Sequence, residues 1–288
     1  MSIENITFTL SSLYQEVIIY NMGIVAGIDI GSTTTKIVLM QGNRVIGTNI
    51  SSTGSNCKKT VKMLLCEMLK DHQIQGEEDI QYTIATGYGR RMIHANEIIT
   101  EITANAKAVK WLMQDKVTIR TIINIGGQDC KVIALNDKGM MVDFVMNDKC
   151  AAGTGRFLEV MSRVLEVELD ELGILSGKAE DIPPINSLCT VFGESEVISL
   201  LSQGRRVEDI IAGIHKSIAK RVGAMVRKAG MKEAVFFDGG TAFNQGLKKA
   251  LETELEVELY VPPEPQVTTA LGAAIIASER LFKKNLVD

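Results

Sequence analysis

Gly23-Ile-Val-Ala-Gly-Ile-Asp-Ile-Gly-Ser-Thr-Thr-Thr-Lys-Ile-Val-Leu-Met40 is the stretch on which the fold turns. The apolar run from Gly23 to Ile30 has the length of a buried strand, and it stops in a Gly/Ser/Thr turn, Gly31 to Lys36. A second strand, Lys36 to Met40, follows at once. Gly42-Asn43 then turns the chain into a third, Arg44 to Ile50. The opening is therefore a β-meander and not a βαβ unit. Val61, Leu64, Leu65, Met68 and Leu69 recur at helical spacing, Gln81 to Ala85 is a strand running into the loop Thr86-Gly-Tyr-Gly-Arg90, and Ile102 to Met113 is helical.

The same order then recurs. Thr121 to Ile125 is a strand ending in Gly126-Gly127-Gln128-Asp129. Lys131 to Leu135 follows, Asp137-Lys-Gly139 turns, and Met141 to Met146 is a third strand. Further on, Ile210, Ile211, Ile214, Ile218, Val222, Met225 and Val226 share one helix face. Ala234 to Phe237 is a strand ending in Asp238-Gly239-Gly240-Thr241, with Phe243 to Leu251 helical after it. Val257 to Val261 is a strand stopped by Pro262-Pro263, and Thr269 to Leu281 is a closing helix whose small residues allow close packing. Two meanders, each followed by helices, predict an α/β chain of two duplicated subdomains, mixed sheets flanked by helices, around a cleft. The expected division is 22–120 with 270–288, and 121–269. Residues 1–21 lack a basic start and carry Glu4 and Glu16, so they make a poor signal peptide and are expected to be a dispensable extension.

Three strand-terminal turns carry the chemistry. In Asp29-Ile-Gly-Ser-Thr-Thr-Thr-Lys36, glycine lets backbone N–H groups approach phosphate oxygens, and hydroxyls donate further bonds. An acid at the strand end can hold hydrated Mg²⁺. Gly126-Gly127-Gln128-Asp129 offers a matching half with an amide and a second carboxylate. Asp238-Gly239-Gly240 suits the flat adenosine end. Any one such turn also serves as a plain tight hairpin. Competing nucleotide motifs fail: Gly173-Ile-Leu-Ser-Gly177-Lys178-Ala179 is one residue short of a Walker A and lacks its Ser/Thr. No GxGxxG follows the first strand and no GxSxG elbow is present.

Composition removes other classes. The net charge of −4, the absence of a Lys/Arg block and 5% aromatics argue against nucleic acid. No apolar run approaches the ~20 residues of a bilayer span. The five cysteines (57, 66, 130, 150, 189) show no CxxC and no zinc spacing with His72, His94 and His215, which favours a reduced, cytoplasmic protein. Two of them stand out. Asn147-Asp-Lys-Cys-Ala-Ala-Gly-Thr-Gly-Arg156 places Cys150 before Phe157, Leu158, Val160, Met161, Val164 and Leu165, a helix whose first turn is expected at the cysteine. Ser187-Leu-Cys-Thr-Val-Phe-Gly-Glu-Ser-Glu196 repeats this around Cys189, ahead of Val197, Ile198, Leu200 and Leu201. Lone cysteines also serve as small core hydrophobes. Two at helix starts, in polar Gly-containing turns, also form a field for an anionic iron–sulfur cluster. Such a cluster takes four thiolates, hence a symmetric dimer. Cys57, Cys66 and Cys130 read as structural.

Asp29-Ile-Gly-Ser-Thr, Ile125-Gly-Gly-Gln-Asp129 and Asp238-Gly-Gly240 resemble the phosphate and adenosine motifs of the actin-like ATPase superfamily. Gly87-Tyr-Gly-Arg90 and the two cysteine motifs resemble, more closely, the ATP-dependent activators of 2-hydroxyacyl-CoA dehydratases. That family includes the ATP-binding subunits of benzoyl-CoA reductase and the reductases of double-cubane-cluster proteins. The resemblance runs from about Gly23 to the final helix. It departs at Thr103-Ala-Asn-Ala106, where relatives carry Ser-Cys-His-Ala, and at Gly193, where they carry Ala.

The resemblance implies a homodimer with one [4Fe-4S] cluster held by Cys150 and Cys189 of each chain. ATP hydrolysis to ADP would drive one low-potential electron into a partner iron–sulfur dehydratase or reductase, with ferredoxin or flavodoxin as donor. Asp29 is expected to hold Mg²⁺ through water, and Gln128 and Asp129 to position the attacking water, with Asp129 also toward the Mg²⁺ shell. Gly31, Ser32, Thr33, Thr34, Lys36, Gly126 and Gly127 should cradle the phosphates. Gly239 and Gly240, with Gly213 and Lys216 on the long helix, fall on the adenosine side. Lys216 serves equally as a solvated surface lysine. A sugar or acyl kinase of the same fold and a non-enzymatic actin-like nucleotide switch are the other readings.

Overall fold

The computed structural model describes residues 23–147, 151–186 and 190–286. The expected extension at 1–21, Cys150 and Cys189 lie outside the described residues. The described chain divides into two compact units. The first runs to Ala108 and resumes at Thr269; the second is Val109–Thr268.

In the first unit, β1 (Ile24–Ile30), β2 (Thr34–Gln41) and β3 (Arg44–Ser52) form the expected meander. Helix α1 (Cys57–Asp71) follows, its N-cap Asn56 side chain accepting the Lys59 N–H at 3.1 Å. β4 (Ile80–Thr86) pairs parallel with β1, and a two-residue edge strand β5 (Glu97–Ile98) pairs with β4. The sheet order is β3-β2-β1-β4-β5. β1 reads as an unbroken apolar run because it is central and covered on both faces. Its apolar side chains pack with Val61, Leu64, Leu65 and Met68 of α1. Helix α2 (Glu101–Met113) and the closing α8 (Thr268–Asn285) complete the layers, α3 to α7 being placed below. A Cβ on Gly27 would lie 2.2 Å from the Ala270 carbonyl oxygen, and one on Gly272 would lie 1.7 Å from that of Ala104. The small residues of α8 are thus matched by glycine on β1 and close approach to α2.

The second unit repeats the plan. β6 (Thr121–Ile125), β7 (Cys130–Leu135) and β8 (Met141–Asn147) form a meander. β9 (Val235–Asp238) pairs parallel with β6, and β10 (Leu259–Tyr260) pairs with β9. The order β10-β9-β6-β7-β8 is that of the first sheet strand for strand. Between β8 and β9 come α3 (Gly155–Val164), α4 (Leu172–Ser176), α5 (Thr190–Ser202) and the long α6 (Val207–Lys228). Helix α7 (Gln245–Leu255) follows a 3-10 turn at Gly240–Phe243. The Walker-like stretch is helix α4 and not a phosphate loop. β10 is shorter than the expected 257–261, since an edge strand matches its single neighbour β9 at only two positions.

One expectation is corrected. Helix α3 starts at Gly155, not at Cys150. Gly153 takes a left-handed φ of +81°, and Thr154 is an extended N-cap whose hydroxyl donates to the Ala151 carbonyl at 2.6 Å. Those two residues turn the backbone before the helix can begin.

Candidate functional site

The duplication fixes which residues correspond. In the first unit the hairpin closes with Ile30 opposite Thr35, and the Gly31 N–H donates to the Thr34 carbonyl at 3.0 Å. In the second, Ile125 faces Cys130 and the Gly126 N–H donates to the Asp129 carbonyl at 2.9 Å. Asp29 pairs in register with Lys36 on one side and Thr86 on the other; Asn124 pairs with Lys131 and Asp238. Asp29 therefore corresponds to Asn124, Lys36 to Lys131, and Thr86 to Asp238. Asp129 corresponds to Thr34 and not to Asp29, so the two carboxylates occupy different places in their turns.

Each turn carries a carboxylate–ammonium pair. Lys36 Nζ donates to Asp29 Oδ2 at 3.0 Å, with the side chains 15% and 8% exposed. Lys131 Nζ lies 2.7 Å from Asp129 Oδ2, and both residues are buried. In pairs this sheltered from water each ion offsets part of the other's desolvation. Ser32 and Gln128 are exposed, and Gly31, Thr33, Thr34, Gly126 and Gly127 are half-buried. Both turns therefore present backbone and hydroxyl or amide groups at their tips, with the charges set behind.

The glycines serve different needs. Gly31 and Gly126 are not in the left-handed region; they are glycine because a Cβ would lie 2.9 Å from the Thr34 carbonyl oxygen in one and 2.8 Å from Asp129 Oδ1 in the other. Gly239 does need left-handed backbone, at φ +91°, and a Cβ there would strike the Ile125 carbonyl oxygen at 2.3 Å. Its counterpart Gly87 has φ +89°, with a Cβ position 2.4 Å from the Ile30 carbonyl oxygen and 2.6 Å from Asp29 Oδ1. Gly240 faces Gln266, a Cβ there lying 3.0 Å from Nε2.

On α6, Lys216 is exposed, whereas Gly213 is buried with its Cβ position 2.7 Å from the Pro183 carbonyl oxygen. Gly213 thus serves to admit the 183–185 segment against α6. Between these two residues lies His215, whose Nε2 is 3.0 Å from Asn244 Nδ2; burial pushes its pKa down to about 4.

Several contributors carry no motif of their own. Thr53 braces the first turn, its hydroxyl donating to the Gly31 carbonyl at 2.7 Å and its N–H to the Thr33 carbonyl at 2.9 Å. Lys131 is legible only by laying one copy of the meander over the other; Gly87 belongs to a loop marked in the sequence, and its role as the counterpart of Gly239 comes from the same comparison. The α3 N-terminus is strapped to the second turn: the Gly155 N–H donates to the Gly126 carbonyl at 2.9 Å and the Arg156 N–H to the Gly127 carbonyl at 2.8 Å. The first N–H groups of this helix are therefore spent on the 126–129 turn and do not form a free anion field, contrary to the expectation for a helix starting at Cys150. Helix α5 is described from Thr190 onward.

Of the other cysteines, Cys130 is buried in β7 and its thiol is pushed up to about 12 by burial. Cys57 is half-buried and Cys66 is exposed on α1, so Cys66 is not a core residue. Among the described residues no helix is long and apolar enough to cross a membrane, and no group of three or more His, Cys, Asp or Glu could hold a metal ion.

The profile of the BadF/BadG/BcrA/BcrD ATPase family matches residues 26–277. The chain is 44% identical over 253 residues to the 2-hydroxyisocaproyl-CoA dehydratase activator of Clostridioides difficile, covering 87% of this chain and 93% of that protein. It is 41% identical over 260 residues to the (R)-2-hydroxyglutaryl-CoA dehydratase activating ATPase of Acidaminococcus fermentans, covering 89% and 98%. The solved activator of the 2-hydroxyisocaproyl-CoA dehydratase from Clostridium difficile with bound ADPNP superposes with a TM-score of 0.86 at 40% identity, covering 92% of this chain and 98% of that one. The fold is that of the actin-like ATPases.

Proposed function

Since the chain belongs to the BadF/BadG/BcrA/BcrD ATPase family, we propose that it is an ATP-hydrolysing activator that delivers one electron at low potential to a partner iron–sulfur dehydratase or reductase. The partner would be of the 2-hydroxyacyl-CoA dehydratase, benzoyl-CoA reductase or double-cubane type. Ferredoxin or flavodoxin would be the donor, and the cytoplasm the compartment. The working unit is a homodimer in which Cys150 and Cys189 of each chain hold one [4Fe-4S] cluster; when bound, the cluster supplies the one-electron carrier. Exposed apolar side chains flank both cysteines and support a covering second copy. Val142, Phe144 and Met146 lie on β8 just ahead of Cys150, and Val191 and Phe192, each 67% exposed, follow Cys189.

The observation that carries the coupled reading is the strap between turn and helix. A shift in the 126–129 turn on nucleotide binding moves the Gly126 and Gly127 carbonyls, and with them the first turn of α3, five residues from Cys150. Nucleotide acts here by population shift, through its different affinity for two arrangements of that turn.

Hydrolysis needs positioning and charge stabilisation more than covalent chemistry. Asp29 suits hydrated Mg²⁺, a hard cation that takes carboxylate oxygens and water, and Gly87 leaves Oδ1 uncrowded. Mg²⁺ when bound neutralises charge on the β- and γ-phosphate oxygens. Lys36 is placed to turn from Asp29 to a phosphate. Ser32, Thr33 and Thr34 donate hydroxyls, and Gly31, Gly126 and Gly127 let the backbone approach the phosphates, the Gly31 and Gly126 N–H groups themselves closing their own turns. Gln128 and Asp129 orient the attacking water, Asp129 fixed by Lys131. Gly239 and Gly240, with Lys216 beyond, face the adenosine. Asp129→Ala tests this: it should cut Mg-ATP hydrolysis by about 10²–10³ while the iron content stays unchanged. Turnover at the wild-type rate would overturn the assignment.

A further inference from the structure

We propose that Thr86 is a positioning residue for the Asp29 carboxylate, holding it in the orientation that receives a hydrated divalent cation. This inference rests on the nucleotide-site reading above and extends it to a residue that the phosphate motifs leave out.

The Thr86 side chain is fully buried at the end of β4, and its hydroxyl has no hydrogen-bond partner. A buried hydroxyl without a partner is unfavourable, and such a group calls for an explanation. Its place supplies one. Thr86 stands in register with Asp29 across the parallel β1–β4 pair, so the two side chains share a face of the sheet. At the corresponding place in the second unit, Asn124 Nδ2 donates to Asp238 Oδ1 at 2.8 Å across β6–β9. That pairing shows that the geometry permits a cross-strand side-chain bond there. In the first unit the Asp29 carboxylate is instead turned with Oδ2 to Lys36. Its Oδ1 points to the β4 end, where a Cβ on Gly87 would meet it at 2.6 Å. When Lys36 turns to a phosphate, Asp29 loses that cation and its carboxylate is free to rotate. The Thr86 hydroxyl is the neighbouring donor that can fix it.

The test compares Thr86→Val, which keeps the β-branch and removes the hydroxyl, with Thr86→Ser, which keeps the hydroxyl. Three quantities are read on the full chain: Tm without nucleotide, the Tm rise with ADP in the presence of Mg²⁺ or of EDTA, and the Mg²⁺ half-saturation of ATP hydrolysis. The Val variant should match or exceed the wild-type Tm without nucleotide, because it removes an unpartnered hydroxyl. Its Mg²⁺ half-saturation should rise about tenfold, the effect of one hydrogen bond to a charged group. The ADP shift in EDTA should be unchanged, and Thr86→Ser should restore the Mg²⁺ response. A Val variant with Mg²⁺ half-saturation within twofold of wild type overturns the proposal, as does one that loses Tm without nucleotide. If wild-type protein shows no Tm rise with Mg-ADP, the nucleotide-site reading itself fails and the proposal falls with it.

Discussion

Removing Asp29 should show how tightly the first turn is wired. In Asp29→Ala the Lys36 ammonium loses its carboxylate 3.0 Å away while staying largely shielded from water. Breaking a buried ion pair by deleting one partner costs about 3–5 kcal/mol, and with 15% and 8% exposure the lower end, about 3 kcal/mol, applies. Lys36→Met strands the carboxylate and should cost about the same. Independent effects would sum to about 6 kcal/mol in Asp29→Ala/Lys36→Met. The double variant instead leaves neither charge buried, and should lose only about 2 kcal/mol, a coupling of several kcal/mol between the two sites. Urea unfolding of nucleotide-free protein, followed by far-ultraviolet circular dichroism, measures all four corners of the cycle. Each single variant should also hydrolyse ATP at least about 10² slower. A double variant that loses the full sum would refute the claim that the two charges are held against each other.

Two further outcomes follow from residues in the second unit. Gly239→Ala places a Cβ 2.3 Å from the Ile125 carbonyl oxygen at φ +91°. It should destabilise by about 2–4 kcal/mol from left-handed strain plus overpacking, read as a fall in Tm with weakened ADP binding; an unchanged Tm contradicts the close approach of β9 to β6. His215 is held at about 4 by burial, below its ordinary 6.5. The unfolded chain then binds the proton that the folded chain refuses. Stability should decline as pH falls from about 6.5 to about 4, by roughly 3 kcal/mol in all. His215→Gln should flatten that part of the urea-midpoint profile between pH 7 and pH 5, and an equally steep slope in the variant would exclude His215 as the source.

Much of the fold is legible in the sequence because its central strands are continuous apolar runs and its turns are marked by Gly, Ser and Thr. Laying Gly31–Lys36 over Gly126–Lys131 would also have exposed Lys131, which otherwise reads as one polar residue in an apolar strand. The edge strand Glu97–Ile98 is too short to leave a period, whereas Leu259–Tyr260 falls inside the expected Val257 to Val261 strand and is shorter than it; each exists only because a neighbour offers a free edge. The start of α3 escapes the apolar spacing because it is set by the backbone of Gly153 and Thr154, not by side-chain pattern. The Gly-rich turns proposed to hold nucleotide were findable as motifs, yet the reason for each glycine was not. Only the structure separates Gly239, which needs positive φ, from Gly126, which needs room for the Asp129 carboxylate. Thr86 carries no signal beyond preceding a glycine, as Asp238 does.

Nucleotide binding at these turns is proposed to govern a cluster shared by two chains. Its most direct test is anaerobic purification, iron and sulfide analysis, and an electron paramagnetic resonance spectrum of the dithionite-reduced protein with and without ATP. The account predicts about four irons per dimer, a signal that changes on adding ATP, and loss of both in Cys189→Ala. Iron-free protein with Cys150 and Cys189 as free thiols would contradict it and leave an actin-like ATPase without the electron-transfer role.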